Sequence, residues 1–422
     1  MLRKLVLLCI LAVLAAGCNE NSLAPGVALV NVETLTITPG TSTIGRGGTV
    51  QLRAIANLFG GGTEDVTNRA VWATSDGNVA GVNATGLVTG FNPGNVDISA
   101  TLNGVTGFGD VTVSQLNTLT VTPDDRFLQV GTTQQLTATG GFSDGSTSDQ
   151  TGQATWVSSN PGAATVNPAG LVTGVAPGFA TITATAANGV QGQADVNVFA
   201  ASVREGASAT AAGLLPVVDQ HRADLGNPLN PNVAGSFGGG RREINWDAVP
   251  PAQTNTNTFP SDFFNSNSPR GVRISTPGAG LRVSDNNFTD VNATYAAEFL
   301  FFSPVRTFAA IGSNVMNVNF FVPGSATPAT TSGFGAVFSD VDQAASTRIE
   351  WFFPNGQSFS RNVPALNRGL SFLGVTFTGV EVTQVRLTLG NGVLGAGLND
   401  VSSGGQNDLV ITDDFLYGEP SP

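Results

Sequence analysis

The sequence predicts an all-β chain made of two copies of one small β-sandwich and a third, larger sandwich unlike them. Three observations carry this. A constant offset of 84 residues (156 − 72) takes Trp72 onto Trp156, Leu35-Thr-Ile-Thr-Pro39 onto Leu119-Thr-Val-Thr-Pro123, and Gly86-Leu-Val-Thr-Gly90 onto Gly170-Leu-Val-Thr-Gly174. Within each copy the apolar residues alternate with polar ones, as Leu35 and Ile37 do with Thr34, Thr36 and Thr38. Such a period of two marks half-buried antiparallel strands. The 53 Gly and 22 Pro among 422 residues supply the turns between many short strands.

A prior of roughly 100–200 residues per domain divides the chain into three folded parts. In order, residues 1–17 read as a signal peptide and 18–32 as a tether. Residues 33–114 and 116–199 are the two repeats, 200–216 an Ala-, Ser- and Gly-rich linker, and 217–422 the third domain. In the second repeat, Asp144-Gly145 is a hairpin turn signal, and Gly60-Gly61-Gly62 stands there in the first. In the third domain, Phe334 to Phe338, Arg348 to Phe353, Leu370 to Phe377 and Val382 to Leu389 read as successive strands, closed by Asp413 to Gly418. About 200 residues of short strands suit a jelly-roll-like β-sandwich.

The charge of −12 argues against a nucleic-acid partner, whose phosphates need clustered Lys and Arg. Lys4 is the only lysine. Arg3 and Lys4 precede the apolar run Leu5–Leu14, which is too short for a permanent membrane span. It ends at Ala15-Ala16-Gly17-Cys18, which resembles the bacterial lipoprotein motif. That resemblance implies cleavage before Cys18 and lipidation of its sulfur, and with Asn19 following, an outer-membrane destination in the cell envelope. Several acyl chains, at about 0.8 kcal/mol per buried CH2, anchor where one would not. Cys9 is then lost with the leader and no disulfide remains.

The repeats resemble bacterial immunoglobulin-like domains of group 2. The likeness rests on the Leu-Thr-Val-Thr-Pro opening, Gly-Thr-Thr-Gln-Gln-Leu-Thr-Ala (131–138), Thr-Trp-Val-Ser-Ser-Asn-Pro (155–161) and Gly-Leu-Val-Thr-Gly-Val-Ala-Pro-Gly (170–178). It implies two tandem Ig-like sandwiches acting as a stalk, with Trp72 and Trp156 in their cores. The third domain's opening, Val218 to Gly226, and Gly239 to Asp247 resemble an uncharacterised domain of secreted bacterial proteins.

Two motifs fall away on their context. Gly141-Phe-Ser-Asp-Gly145 has the spacing of a nucleophile elbow but sits on the repeat's hairpin, with no helix after it. Gly390-Asn-Gly392-Val-Leu-Gly395 has dinucleotide-binding spacing but leads into loop residues. His221 is the only histidine and reads as a surface residue, since no triad or multi-histidine metal site can form around it.

Candidate ligand contacts lie in the third domain. Trp246, Tyr295, Trp351 and Tyr417 offer rings on which a sugar could stack, with Arg241, Arg242 and Asn245 as hydrogen-bonding neighbours. Asp340, Asp342, Asp413 and Asp414 are hard oxygen ligands suited to Ca2+. Glu243, Asp247, Glu298 and Glu350 could serve a glycosidase, but nothing in the sequence pairs them. The resulting expectation is a lipid-anchored surface protein, not an enzyme. Its stalk presents a domain that binds glycan or another surface polymer; a purely structural envelope protein and a glycan-active enzyme are the alternatives.

Overall fold

The computed structural model describes residues 31–422. The expected leader, the expected tether up to residue 30 and the expected lipidation at Cys18 lie outside the described residues. Two compact units make up the chain, one ending at Gln115 and one running from Leu116 to Pro422.

The first unit contains the first repeat. Val32–Thr38 pairs antiparallel with Arg53–Leu58, and Gly94–Leu102 pairs with Val105–Ser114 and Val71–Thr74. Alternation does the work expected of it: Leu35, Ile37, Ala54, Val96, Ile98 and Ala100 point into one core. Gly86 explains why the Gly-Leu-Val-Thr-Gly block repeats in register with the tryptophan. It takes a φ of +78°, and a Cβ on it would stand 2.8 Å from the Trp72 ring and 2.5 Å from the Leu52 carbonyl oxygen. Trp72 is half-buried against the core and its indole N–H donates to the Thr67 carbonyl.

The second repeat reproduces the glycine–tryptophan contact and buries the ring more deeply. Gly170 presses on Trp156, which is buried and donates to the Thr151 carbonyl. The Asp144-Gly145 turn closes a hairpin in which the Asp144 carboxylate accepts from the Ser146 N–H.

The second unit departs from the sequence reading at the boundary. Residues 200–216 are not a linker. One strand, Gln191–Ser208, closes the second Ig-like sandwich with its first half, pairing Gly178–Thr185, and joins the third domain with its second half, pairing Leu366–Thr378. Of its small residues, Gly206 sits where the following helix approaches: a Cβ there would lie 3.3 Å from the Val217 side chain. A helix, Ala211–Leu225, follows at once. Thr210 caps it by accepting from the Gly213 N–H, and Gly226 ends it at a φ of +100°.

Phe199, on the shared strand, meets Phe353 and Phe377 of the third domain at 5.0 and 6.0 Å between ring centroids. The Phe127 N–H donates to the Gln357 side chain, and the Asn355 side chain donates to the Asp125 carbonyl. The second Ig-like module and the third domain thus share a sheet and part of a core.

The third domain is a β-sandwich. Eight successive strands begin with Thr307–Ile311 and end with Ile411–Gly418. Numbered along the chain, they lie 1-8-3-6 in one sheet and 2-7-4-5 in the other, which is the strand order of a jelly roll. Phe334, Trp351, Val385 and Phe415 fill the space between the sheets. The helix covers the outer face of the first sheet, where Leu214, Val218 and Leu225 pack on Val337, Leu370, Phe372 and Leu416. With one face on the core and the other under the helix, strand Gly333–Val341 is buried at every position.

Candidate functional site

The four rings expected to contact a ligand are core residues, none more than 1% exposed. Trp246 stacks on Phe308 at 3.9 Å and donates to the Asp413 carbonyl. Trp351 donates to the Phe334 carbonyl, Tyr417 to that of Arg270, and Tyr295 to that of Leu398. Each polar handle is satisfied inside the fold, so no ring face is left for a sugar. Arg242 is also buried, and forms a two-pronged ion pair with Glu419 at 2.6 and 2.8 Å. Arg241 is engaged by Glu243 and Asn227. His221 is not on the surface but fully buried between the helix and the sheet.

What the surface does offer is an open cleft of about 700 Å³ beside the helix. Leu215, Leu229 and Phe302 give it apolar wall, and Arg222, Glu243, Asn245, Arg270 and Asp414 give it polar groups. Arg222 sits in the last turn of the helix, where a cation suits the helix dipole. It donates to Glu243 at 2.9 Å and to Asp219 at 2.8 Å, and its Nη2 lies 3.8 Å from Asp414. Burial pushes the Asp414 carboxyl up to about 6, against the lowering effect of its hydrogen bond from Ser303. Asp413, beside it, accepts from the Phe302 N–H and from Ser303, and burial raises it too. Both acids therefore have protein partners, and neither belongs to the described groups of acids close enough to share an ion.

Asp340 and Asp342 do belong to such groups. One oxygen each from Glu298, Asp340 and Asp400 lie within 4.8 Å of one another, and so do oxygens from Asp342, Asp400 and Asp408. Asp340 is aimed there by a bulge: the register slips between Ser339 and Val341, and Asp340 takes a φ of +67°. Asp400 caps a short 3-10 turn by accepting from the Ser402 N–H and also accepts from Leu409. Asp408 accepts from the Asp342 and Gln343 N–H groups and from the Ser346 hydroxyl. Glu298 accepts from Arg368 and from the Ser402 and Ser403 hydroxyls. Burial pushes the Asp340 and Asp342 carboxyls well above the usual carboxylate range, with their acidic neighbours adding to it.

Glu298, Asp400 and Asp408 were missed as partners because they lie far from Asp340 in sequence. The cleft was missed because its helical wall reads as linker. Leu214, Val218, His221 and Leu225 nonetheless recur at helical spacing, and all four are buried.

Comparison with known proteins agrees with the repeats. Ice-binding protein 1 of Shewanella frigidimarina (strain NCIMB 400) is 37% identical over 186 residues, which is 41% of this chain and 20% of that protein. The chain therefore spans about a fifth of that relative's length. Domains 4 and 5 of the S-layer protein SbsC share 22% identity over 40% of this chain and 98% of theirs, with a TM-score of 0.28. A C-terminal fragment of intimin, solved with the Tir intimin-binding domain, shares 15% over 48% of this chain and 74% of its own, with a TM-score of 0.20. The family described as bacterial Ig-like domain (group 2) matches residues 31–113 and 116–210, so this part of the chain is a tandem of two such domains.

Proposed function

We propose that the chain is a lipid-anchored bacterial surface protein whose two Ig-like modules carry a C-terminal β-sandwich that binds a glycan or another surface polymer. The observation that carries the binding is the cleft beside the helix. It combines apolar wall with convergent polar groups, the composition of ligand sites generally. The tandem Ig-like domains and the likeness to Ice-binding protein 1 support an extracellular setting. The Ala15-Ala16-Gly17-Cys18 sequence supports the lipid anchor.

Binding is favoured over cleavage. A glycosidase needs one carboxyl protonated and a second ionised across the bond. Here Glu243 and Asp414 both lie against the Arg222 guanidinium, at 2.9 and 3.8 Å, so the two carboxyls of the cleft are engaged within the protein.

The test is a glycan array with the whole chain, compared with a Leu215→Ser/Leu229→Ser variant. Both leucines line the cleft and are 42% and 52% exposed, so the substitutions spare the core. Retained folding with at least roughly a tenfold loss of affinity, about 1.4 kcal/mol, is the expected outcome. Absence of any binding by the wild-type chain would leave the purely structural reading in its place.

A further inference from the structure

We infer that the C-terminal sandwich binds one Ca2+ at a carboxylate cluster centred on Asp400, where Asp340, Asp342, Asp408 and Glu298 converge. Asp400 is the member common to both groups of acids whose oxygens lie within 4.8 Å of one another. Proximity of acids alone would not make a site. The decisive feature is that three enclosed carboxylate oxygens in it, one on Asp340 and two on Asp342, have no hydrogen-bond donor. Asp340 is fully buried, its Oδ1 accepts from the Arg368 N–H, and its Oδ2 has no partner. Both carboxylate oxygens of Asp342 are likewise enclosed and unpartnered. A buried carboxylate oxygen without a donor costs several kcal/mol of lost solvation, so native folds supply a proton, a donor or a metal.

The surroundings do not supply enough positive charge. Arg368 is the guanidinium that contacts this cluster among the described residues, and its side chain is engaged by Glu298. Asp340, Asp342, Asp400 and Asp408 remain; backbone N–H or hydroxyl groups donate to Asp400 and Asp408, one backbone N–H donates to Asp340, and none to Asp342. A divalent cation between them would satisfy the orphaned oxygens and offset the repulsion together.

The donor set selects the metal. Every candidate ligand is a carboxylate oxygen, which excludes the softer ions that prefer nitrogen or sulfur. Mg2+ holds its water tightly and is usually bound through one or two carboxylates, whereas Ca2+ accepts six to eight oxygens in flexible geometry. A cluster with this many buried acids fits Ca2+. Its role would be structural: the ion would tie the segment holding Asp400 and Asp408 to the end of strand Gly333–Val341.

The full-length chain, stripped with EGTA, is titrated with Ca2+ and, in parallel, Mg2+ by calorimetry, and its melting is followed in both states. One Ca2+ per chain is expected, with a melting temperature that rises on addition and falls back with EGTA. Asp342→Asn is the informative variant because the Asp342 oxygens accept no hydrogen bond within the protein. It should weaken Ca2+ binding at least about tenfold. In EGTA it should melt no lower than wild type, since a buried like charge has been removed. The wild-type titration stands whether or not the variant folds. No binding up to roughly 10 mM, ten times the weak end of extracellular calcium modules, overturns the inference. So does Ca2+ affinity unchanged by Asp342→Asn, and equal affinity for Mg2+ overturns the choice of calcium.

Discussion

The His221 imidazole occupies the space above Gly374: a Cβ built on that glycine would lie 2.7 Å from three atoms of the ring. Gly335, its partner across the strand pair, is crowded by the same ring at 2.8 and 2.9 Å. Two facing glycines thus make a shallow seat in the sheet, and the helix places its histidine in it. Gly374→Ala should force the ring or the helix outward and cost about 1–3 kcal/mol, the usual penalty of overpacking. Chemical denaturation measures it. In a double-mutant cycle with His221→Ala the two losses should be less than additive; strict additivity would mean that the seat is not a contact that matters.

The same enclosure predicts a pH dependence. Burial lowers the His221 pKa to about 3; Asp224 opposes this, while Arg204 and Arg222 reinforce it. Between that value and the unfolded value of about 6.5, the unfolded chain binds a proton that the folded chain does not. Stability therefore rises with pH across this window and is lost as pH falls through it, by at most roughly 5 kcal/mol. The raised carboxyls of Asp413 and Asp414 act in the opposite sense. The quantity to measure is thus the difference between wild type and His221→Leu from pH 7 to 4. A difference that does not change with pH would show that the histidine titrates normally.

Sequence alone reached the Ig-like repeats and the third sandwich for a physical reason. Strands such as Val32–Thr38 bury one face, so their composition alternates and their register can be read. Strand Gly333–Val341 buries both faces, and alternation disappears with the exposed side. Strand Ile411–Gly418 is buried throughout in the same way, which is why Tyr417 could not be told from a surface ring. The helix was hidden by Gly213 and Pro216, residues that ordinarily argue against one. The acidic cluster was half legible: Asp340 and Asp342 are two residues apart in the chain, but only the fold brings Asp400 and Glu298 to them.

The ion pair between Arg242 and Glu419 illustrates how a residue that looks suited to ligand binding can be structural. The two side chains are 0% and 1% exposed, and Arg242 also donates to the carbonyls of Pro231, Gly235 and Pro269. Truncating either partner leaves a buried charge uncompensated. Glu419→Ala should therefore cost about 3–5 kcal/mol. Equilibrium unfolding reads this directly, and a loss below about 1 kcal/mol, the range of a surface pair, would contradict it.

The strand shared by the second Ig-like module and the third domain predicts how unfolding spreads. Phe199 lies on that strand and packs on Phe353, Phe359 and Phe377 of the sandwich. The strand's first half meanwhile places Ala194, Val196 and Val198 in the core of the Ig-like module. Removing the ring leaves a cavity at the point where the two hydrophobic cores meet, and Phe199→Ala should cost about 3–5 kcal/mol. Because one continuous ladder crosses the boundary, calorimetry of residues 116–422 should show a single transition that shifts as a whole in the variant. Two separate transitions, with only the sandwich displaced, would mean that the ladder does not couple the modules and that each melts on its own.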